Sequence, residues 1–353
     1  MVTALIYCNK GLEDICEKEA KNHVKCKCKV FSEVVLCEAS SLKDVCTLAY
    51  KMQSACRVCL FLGKIEDEII YEKKLFESKK LAVKVLGFLD TNEKTREFAV
   101  KICKDIDNSG IKYSVDLKNP DAIIICFNSD DGTFVGIDFS GDLNKRDYQV
   151  FTHNQALRPT ISYSLVALSG FEGHGVLLDP FCGAGGVVVE AVLSRKKGIH
   201  EFDFDKLPFH KIVSDIKYDF EDKKSDARVV GYDINLNTIT CARKNAKIAG
   251  VNKDMEFSVV DAHFLDLKFD TKTVEYIVTH VPPLSKNTDE KKVLKLWDEF
   301  LFIASDILTK QMVILVNKTE DFKEIAKKYK FKILEERRIF QGETQFFVLV
   351  LEK

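Results

Sequence analysis

The second half of the chain alternates short apolar segments with helical patterns, and this rhythm constrains the fold more than any other feature. It predicts strands at 176–178, 227–232, 255–260, 276–279 and 312–316, and helices at 160–169, around Ala191, and at 236–249 and 289–308. Strands that alternate with helices in this way form a parallel sheet covered on both faces. The last 24 residues predict two further strands joined through Gln341-Gly342, which would close the sheet as an antiparallel hairpin. The predicted fold class is therefore α/β, with a doubly wound sheet.

The first 150 residues predict smaller α+β units. Within 1–60 we expect strands at 2–7 and 34–38 and helices at 12–20 and 42–60. Within 61–150 we expect a helix at 95–106 and strands at 81–86, 122–127 and 134–139. A charged segment between 195 and 228 interrupts the later pattern and predicts a loop-rich insertion.

Composition limits the partners of the chain. The length of 353 residues predicts two or three domains, and the formal net charge of −1 excludes an overall basic field. If nucleic acid binds, local patches must hold it. No apolar run reaches the roughly 20 residues of a membrane span. We therefore expect a cytoplasmic protein with no membrane contact.

The 12 cysteines are scattered over the chain, which favours free thiols in a reducing cytosol. Cys56 and Cys59 would share one apolar face of the predicted 42–60 helix, as buried small side chains. Zinc ligation by these two residues with Cys26 and Cys28 is the less favoured alternative, because no loop or His supports it. We predict no metal site.

A glycine-rich turn follows the first strand of the sheet in L-L-D-P-F-C-G-A-G-G, residues 177–186. Gly183 and Gly185 permit positive φ and a close approach of ligand to backbone, and the following helix N-terminus favours an anion. A dinucleotide site would need a third glycine where Val188 stands and an acid about 20 residues on. The next candidate, Asp233, lies 48 residues after Gly185. The alternative that glycine is present in this turn only because the chain packs tightly there, with no ligand, stays open.

Three predicted strands end in aspartate, at Asp179, Asp233 and Asp261. Ligands of open α/β sheets bind at the carboxyl ends of the strands. A carboxylate there can accept hydrogen bonds from ribose hydroxyls or from an exocyclic amine. A P-loop motif for phosphoryl transfer is missing from the sequence.

The ordered set D-P-F-C-G-A-G-G, then G-Y-D-I-N-L-N-T-I-T-C-A-R-K-N-A-K-I-A-G-V, then D-A resembles class I S-adenosylmethionine-dependent methyltransferases. It is most similar to the THUMP-domain RNA methyltransferases that modify guanine N2 in tRNA. The resemblance extends to K-G-L-E-D-I-C-E-K-E at 10–19, V-D-L-K-N-P-D-A-I-I at 115–124, G-D-L-N-K-R-D-Y at 141–148 and A-L-R-P-T-I-S-Y-S-L at 156–165. It covers nearly the whole chain.

The resemblance implies an N-terminal ferredoxin-like domain at 1–60, a THUMP RNA-binding domain at 61–144, a linker at 145–159 and a Rossmann-like methyltransferase domain at 160–353. It implies S-adenosyl-L-methionine as cofactor, held by Thr160, Asp179, Pro180, Cys182, Gly183, Gly185, Asp233, Ile234, Asp261 and Ala262. It also implies tRNA as partner, docked by its acceptor end, with no DNA. A protein partner is not indicated.

The fourth strand departs from the pattern of the family. There the strand ends in N-P-P-Y or D-P-P-Y, whose side chain and next carbonyl accept the hydrogens of the target amine while the aromatic ring stacks on the base. Here the segment is His280, Val281, Pro282, Pro283 and Leu284. Valine accepts no hydrogen bond and leucine has no π face.

Three interpretations of this segment follow. His280 substitutes as the acceptor, or a different group is methylated, or the chain either binds cofactor and RNA without catalysis or needs a partner subunit. Alternation along a strand would point His280 away from Val281. We predict a tRNA methyltransferase that forms N2-methylguanosine, with the non-catalytic binding protein as the alternative.

Contacts to RNA phosphates are expected from Lys145, Arg146 and Arg158, in and beside the linker. A basic run formed by lysines 21, 25, 27 and 29 is either a second RNA patch or a solvated strand face.

Overall fold

The structure is a computed structural model that describes residues 2–67, 69, 71–77, 79–87, 92–152, 156–196, 208–213, 221–284 and 289–353. The chain divides into two compact units. The first comprises Met1–Leu143 and Gly198–Phe220, and the second comprises Asn144–Lys197 and Glu221–Lys353. No helix within the described ranges is long and apolar enough to cross a membrane.

One mixed sheet of eight strands forms the centre of the first unit, in the order β2-β3-β1-β4-β8-β7-β5-β6. Its strands are β1 Val2–Cys8, β2 Lys27–Phe31, β3 Val34–Ala39, β4 Ala55–Lys64, β5 Lys80–Gly87, β6 Ser114–Val115, β7 Ala122–Ser129 and β8 Gly132–Asp138. The helices are α1 Glu13–His23, α2 Leu42–Lys51, α3 Lys73–Phe76 and α4 Asn92–Asn108.

The predicted helix at 42–60 is wrong beyond residue 51. α2 begins with a capping box at Ser41 and ends at Lys51. The N–H groups of Gln53 and Ser54 then donate to the buried carboxylate of Glu19, at 2.8 and 2.9 Å, so they leave the helical pattern. The following residues form β4, and Cys56 and Cys59 therefore lie on a strand. The strands that pair with β4 are remote in sequence, and this pairing makes the segment a strand rather than a helix.

β4 pairs with β1 on one side and with β8 on the other, both antiparallel. The expected boundary between residues 60 and 61 falls inside this strand. Strands from both expected domains thus belong to one sheet and share hydrogen bonds.

A short piece of the 195–228 insertion belongs to the first unit. Most of the insertion lies outside the described residues, but Pro208–Lys211 form a 3-10 helix. Phe209 is fully buried in the core of this unit, with its ring centroid 6.2 Å from that of Phe139. The N–H of Phe209 also donates to the carbonyl of Phe139 at 3.2 Å. The insertion therefore supplies a core residue to a unit that is otherwise N-terminal in sequence.

Two cysteines are paired, which corrects the prediction of free thiols throughout. The register of β2 and β3 places Cys28 opposite Cys37, and the two form a disulfide. Ten other cysteines are free in the described part of the chain.

A seven-stranded sheet forms the second unit, in the order β11-β10-β9-β12-β13-β15-β14. Its strands are β9 Val176–Asp179, β10 Arg228–Asp233, β11 Glu256–Val259, β12 Val274–His280, β13 Leu308–Val316, β14 Lys332–Gln341 and β15 Thr344–Glu352. The helices are α5 Pro159–Leu168, α6 Gly186–Leu193, α7 Leu236–Ile248, α8 Glu290–Ile307 and α9 Glu320–Lys328.

The pairing in this sheet confirms the predicted doubly wound fold with its closing hairpin. β9 to β13 are parallel, and β15 inserts antiparallel between β13 and β14. The carboxyl ends of β9, β10 and β12 consequently meet at one edge, where the strand order reverses and a ligand crevice is expected.

Candidate active site

A cavity of about 540 Å³ opens at that edge of the sheet. Its volume lies within the range of small-molecule sites in proteins. It is lined by residues of the glycine-rich turn, of the ends of β10 and β12, of the segment after β11, and of α5 and α8. Predicted site residues in this lining are Asp179, Pro180, Cys182, Gly183, Asp233, Ile234, Asp261, Ala262, His280 and Pro282.

Asp179 ends β9 at the bottom of the cavity. It is buried, and its Oδ1 accepts hydrogen bonds from Thr279 Oγ1 at 2.5 Å and from the N–H of Phe181 at 3.2 Å. Burial raises the pKa of Asp179 to about 7, although these hydrogen bonds oppose the shift. A cationic group placed beside it would favour the ionised carboxylate.

Asp233 holds the glycine-rich turn in place. Its Oδ2 accepts from the N–H of Gly183 at 3.0 Å, and its Oδ1 accepts from the N–H of Asn235 at 2.8 Å. The turn itself needs glycine, because φ is 50° at Gly183 and 86° at Gly185. Gly185 does not line the cavity. A Cβ at this position would lie 2.9 Å from the ring of Phe257, so the residue is required for packing behind the turn.

Asp261 is paired with a histidine that the sequence did not identify. Its Oδ1 accepts from the N–H of His263 at 3.1 Å and lies 2.5 Å from His263 Nδ1, while Nε2 of the same ring contacts Glu299. Burial tends to raise the pKa of Asp261, but the bonds from His263 outweigh it and the pKa is lowered. The hydrogen bond to Asp261 raises the pKa of His263. His263 also lines the cavity.

Ser162, rather than Thr160, faces the cavity from α5. The Thr160 hydroxyl donates to Asn144 Oδ1 at 2.9 Å, and Thr160 is not among the lining residues. Ser162 lines the cavity and is 1% exposed, and its hydroxyl has no hydrogen-bond partner among the described residues. A Cβ at Gly186, the first residue of α6, would lie 3.2 Å from that hydroxyl. The sequence signal that could have identified Ser162 was its position two residues after Thr160 in R-P-T-I-S.

The segment after β12 divides between the cavity and the core. His280 and Pro282 line the cavity, but Val281 and Leu284 are buried in the core beneath α8 and face neither the cavity nor solvent. Pro283 is also absent from the lining. The carbonyl of Pro282 accepts a hydrogen bond from Trp297 Nε1 at 3.2 Å. The side chain at the expected acceptor position, Val281, is therefore apolar. The carbonyl of Pro282 already accepts a hydrogen bond from Trp297.

Arg146 corrects one of the predicted phosphate contacts. It is buried, with its Nε 3.1 Å from Glu190 Oε1, and Tyr148 donates to the same oxygen at 2.8 Å. A buried guanidinium paired in this way fixes the linker to α6 and does not reach RNA. Lys145 is exposed and Arg158 is half-buried, so both stay as predictions.

Residues 146–346 match the family described as UPF0020, the RMKL-like methyltransferase domain. This match covers more than half of the chain. The chain belongs to this family.

Individual proteins agree with that assignment. The tRNA (guanine(6)-N2)-methyltransferase of Methanocaldococcus jannaschii is 31% identical over 258 residues, which are 69% of this chain and 67% of that protein. The ribosomal RNA large subunit methyltransferase K/L of Shewanella pealeana is 32% identical over 148 residues, or 38% of this chain. The chain spans only 21% of the length of that second relative.

The fold also matches a solved structure along its length. The structure of SMU.472 complexed with SAH has a TM-score of 0.75 and 18% identity, and the match covers 99% of this chain and 97% of that one. The protein is thus a methyltransferase of Rossmann-like fold. The cavity can be compared with S-adenosylmethionine, the cofactor that the sequence resemblance implies.

The cavity fits this cofactor by its chemistry. Three acidic strand ends provide acceptors for hydroxyl and amine groups, and the buried Ser162 hydroxyl and the α6 N-terminus provide donors for a carboxylate. Asp233 would hold the ribose, the Asp261 segment the adenine, and Asp179 with Ser162 the amino-acid end. When bound, S-adenosylmethionine supplies an electrophilic methyl group.

Proposed function

We propose that the protein is a tRNA methyltransferase that forms N2-methylguanosine, with His280 as the acceptor for the target amine. The observation that carries the proposal is that one cavity gathers Asp179, Asp233, Asp261 and His280 in a chain of this family. The relative that is matched over 67% of its length bears the name tRNA (guanine(6)-N2)-methyltransferase, which supports tRNA as substrate.

His280 is the nearest substitute for the missing acceptor of the motif. It ends β12, adjoins Val281 in sequence, and presents a half-buried imidazole to the cavity, with Phe346 packed edge-on at 5.6 Å between ring centroids. A neutral imidazole nitrogen can accept a hydrogen bond from an amine and can take up its proton. Val281 and Leu284 would support the position of the segment from the core.

The test is methyl transfer from labelled S-adenosylmethionine to unmodified tRNA, followed by nucleoside analysis of the product. We expect N2-methylguanosine. His280→Ala should reduce the methylation rate at least tenfold while cofactor affinity is retained, and His280→Gln, which keeps an acceptor, should recover part of the rate.

His174→Ala is the matched control, because this histidine is exposed and lies outside the cavity. Full activity of His280→Ala would remove the assigned acceptor. Methylation of another nucleoside would replace guanine N2 as the target.

A second candidate function rests on the same segment. Val281 is buried and offers no acceptor, and the Pro282 carbonyl already accepts one hydrogen bond from Trp297, so the side-chain half of the usual amine clamp is missing. The alternative is a protein that binds cofactor and RNA without independent catalysis. Cofactor binding without methyl incorporation into any tRNA would favour it.

In this proposal the tRNA acceptor end docks on the THUMP-type module predicted at 61–144, and the N-terminal domain predicted at 1–60 adds a basic surface. Support comes from exposed Lys25, Lys27 and Lys29, on β2 and the segment before it. Changing all three to Glu should weaken tRNA binding and flatten its salt dependence. The same change at Lys247, Lys253 and Lys268, which are exposed in the second unit, is the control. Equal losses in both variants would mean a general charge effect.

A further inference from the structure

Three cysteine sulfurs converge at the edge of the sheet in the first unit. β2 is the edge strand, and its Cys28 lies opposite Cys37 of β3, with 4.2 Å between their Cα atoms. Cys26 precedes Cys28 by two residues, and side chains with that spacing on an extended chain point to the same face. The Sγ atoms of Cys26 and Cys28 are 3.5 Å apart, and all three sulfurs lie within 4.8 Å of one another.

This spacing suits metal ligation once the disulfide is opened. Thiolates bind Zn²⁺ at about 2.3 Å, which places two sulfurs on one ion about 3.8 Å apart. A dithiol reductant would break the Cys28–Cys37 bond, with two electrons and two protons passing to the sulfurs and the reductant leaving as its own disulfide. Three thiols would then share one face of the sheet.

We propose that Cys26, Cys28 and Cys37 hold one Zn²⁺ in the reduced protein, with water as the fourth ligand. The disulfide is the metal-free state of the same site. Binding releases the three thiol protons and forms three Zn–S bonds, because the thiolate is the ligand.

The surroundings of the sulfurs allow both states. Cys26 and Cys28 are half-buried at an open edge, so an ion can enter, while Cys37 is fully buried and fixed by its strand. β2 and β3 pair over five residues, which holds the hairpin without the disulfide. Because the ligands are thiolates, metal affinity should increase with pH.

The experiment uses the full chain reduced with a phosphine, which is then removed, and titrates it with Cd²⁺ alone as a spectroscopic probe. We expect thiolate-to-metal charge-transfer absorption that saturates at one ion per chain and is displaced by Zn²⁺. The oxidised protein should show none of it. Zn²⁺ should also protect these three cysteines from alkylation, as located by peptide mass analysis.

Cys26→Ser tests the site without touching the disulfide pair. It should lower metal affinity at least tenfold in the reduced protein. Cys56→Ser is the matched control, because Cys56 is also half-buried in the first unit but lies outside the cluster. Its metal affinity should equal that of the unmodified protein.

Two results would overturn the proposal. One is a reduced protein with no stoichiometric metal uptake, and the other is a Cys26→Ser variant that binds as the unmodified protein does. Either would leave a disulfide with an independent thiol beside it. Neither RNA nor S-adenosylmethionine is present in the assay, so the outcome is separate from that of the methyltransferase proposal.

Discussion

Neighbouring residues at the end of β12 have opposite environments. His280 faces the cavity and Val281 the core, because successive side chains of an extended segment point to opposite sides. The sequence predicted that the two side chains point in opposite directions, but it expected Val281 at the acceptor position, whereas His280 lines the cavity. It could not show that the carbonyl of Pro282 meets Trp297, which is 15 residues further along on α8.

An asparagine at position 281 should destabilise the protein rather than rebuild an amine clamp. Val281 is fully buried among apolar side chains, and an amide there would lose its hydrogen bonds to water. We expect Val281→Asn to lower the free energy of unfolding by about 1–3 kcal/mol, measured by chemical denaturation. Val150→Asn, at an exposed valine, should stay within about 0.5 kcal/mol of the unmodified protein. A stable Val281→Asn variant with faster methylation would contradict this prediction.

Ser162 should contribute to cofactor affinity through the amino-acid end. Its buried hydroxyl has no partner in the described part of the chain, so a bound carboxylate would gain a charged hydrogen bond. Ser162→Ala should weaken S-adenosylhomocysteine binding roughly tenfold, measured by calorimetry. Ser164→Ala is the control, because that buried hydroxyl already donates to the Thr160 carbonyl.

Methylthioadenosine, which lacks the amino-acid end, makes the Ser162 test specific. It should bind to Ser162→Ala as well as it binds to the unmodified protein. An equal loss for both ligands would place the hydroxyl elsewhere in the cavity.

Asp179 should make stability depend on pH. Its pKa is about 7 in the folded protein and 3.8 in the unfolded chain, so the folded state binds the proton more tightly. The stability that Asp179 itself contributes should therefore be fully present below the unfolded pKa and be lost as pH rises through the folded pKa. We expect the free energy of unfolding, measured by chemical denaturation, to differ less between about pH 5 and about pH 8 in Asp179→Asn than in the unmodified protein. The same slope in both proteins would assign the effect to another group.

At the scale of elements, sequence periodicity predicted those whose local pattern and tertiary setting agree. The parallel strands from β9 to β13 and the closing hairpin are examples, since buried apolar runs between turns have few alternatives. β4 was missed because its apolar residues also fit helical spacing, and only pairing with β1 and β8 decides between the two. α9 was also missed. The same holds for the site. The aspartates at strand ends could be predicted from local pattern, but the positions of Ser162 and His263 at the cavity depend on packing between elements.

The linker is joined to α6 through a buried charge pair, and its loss should be costly. Glu190 is fully buried and accepts from Arg146 and Tyr148. Glu190→Gln would leave the guanidinium buried without a counter-charge, and we expect a loss of about 3–5 kcal/mol in the free energy of unfolding. Glu256→Gln, which breaks the exposed pair with Arg228, should cost at most about 1 kcal/mol. Similar values for both variants would show that burial of the first pair has little effect.

At the scale of the whole molecule, Phe209 should stabilise the first unit although it lies 66 residues after the last residue of the N-terminal segment, Leu143. Phe209→Ala would open a cavity in that core, and we expect a loss of about 3–5 kcal/mol. Hydrogen exchange should show reduced protection in β7 and β8. Leu117→Ala, at an exposed side chain of the same unit, is the control and should leave protection unchanged. Unchanged protection in Phe209→Ala would mean that the core closes without this ring.

The path of the chain has a consequence for any attempt to separate the two units. It passes from one unit to the other three times, after Leu143, after Lys197 and after Phe220. If a protease cleaved one bond just after Leu143, Phe209 of the C-terminal fragment would still be packed in the core formed by the N-terminal fragment. Neither unit is therefore one continuous stretch of sequence. A gene fragment that encodes one uninterrupted stretch would lack part of the intended unit or include part of the other.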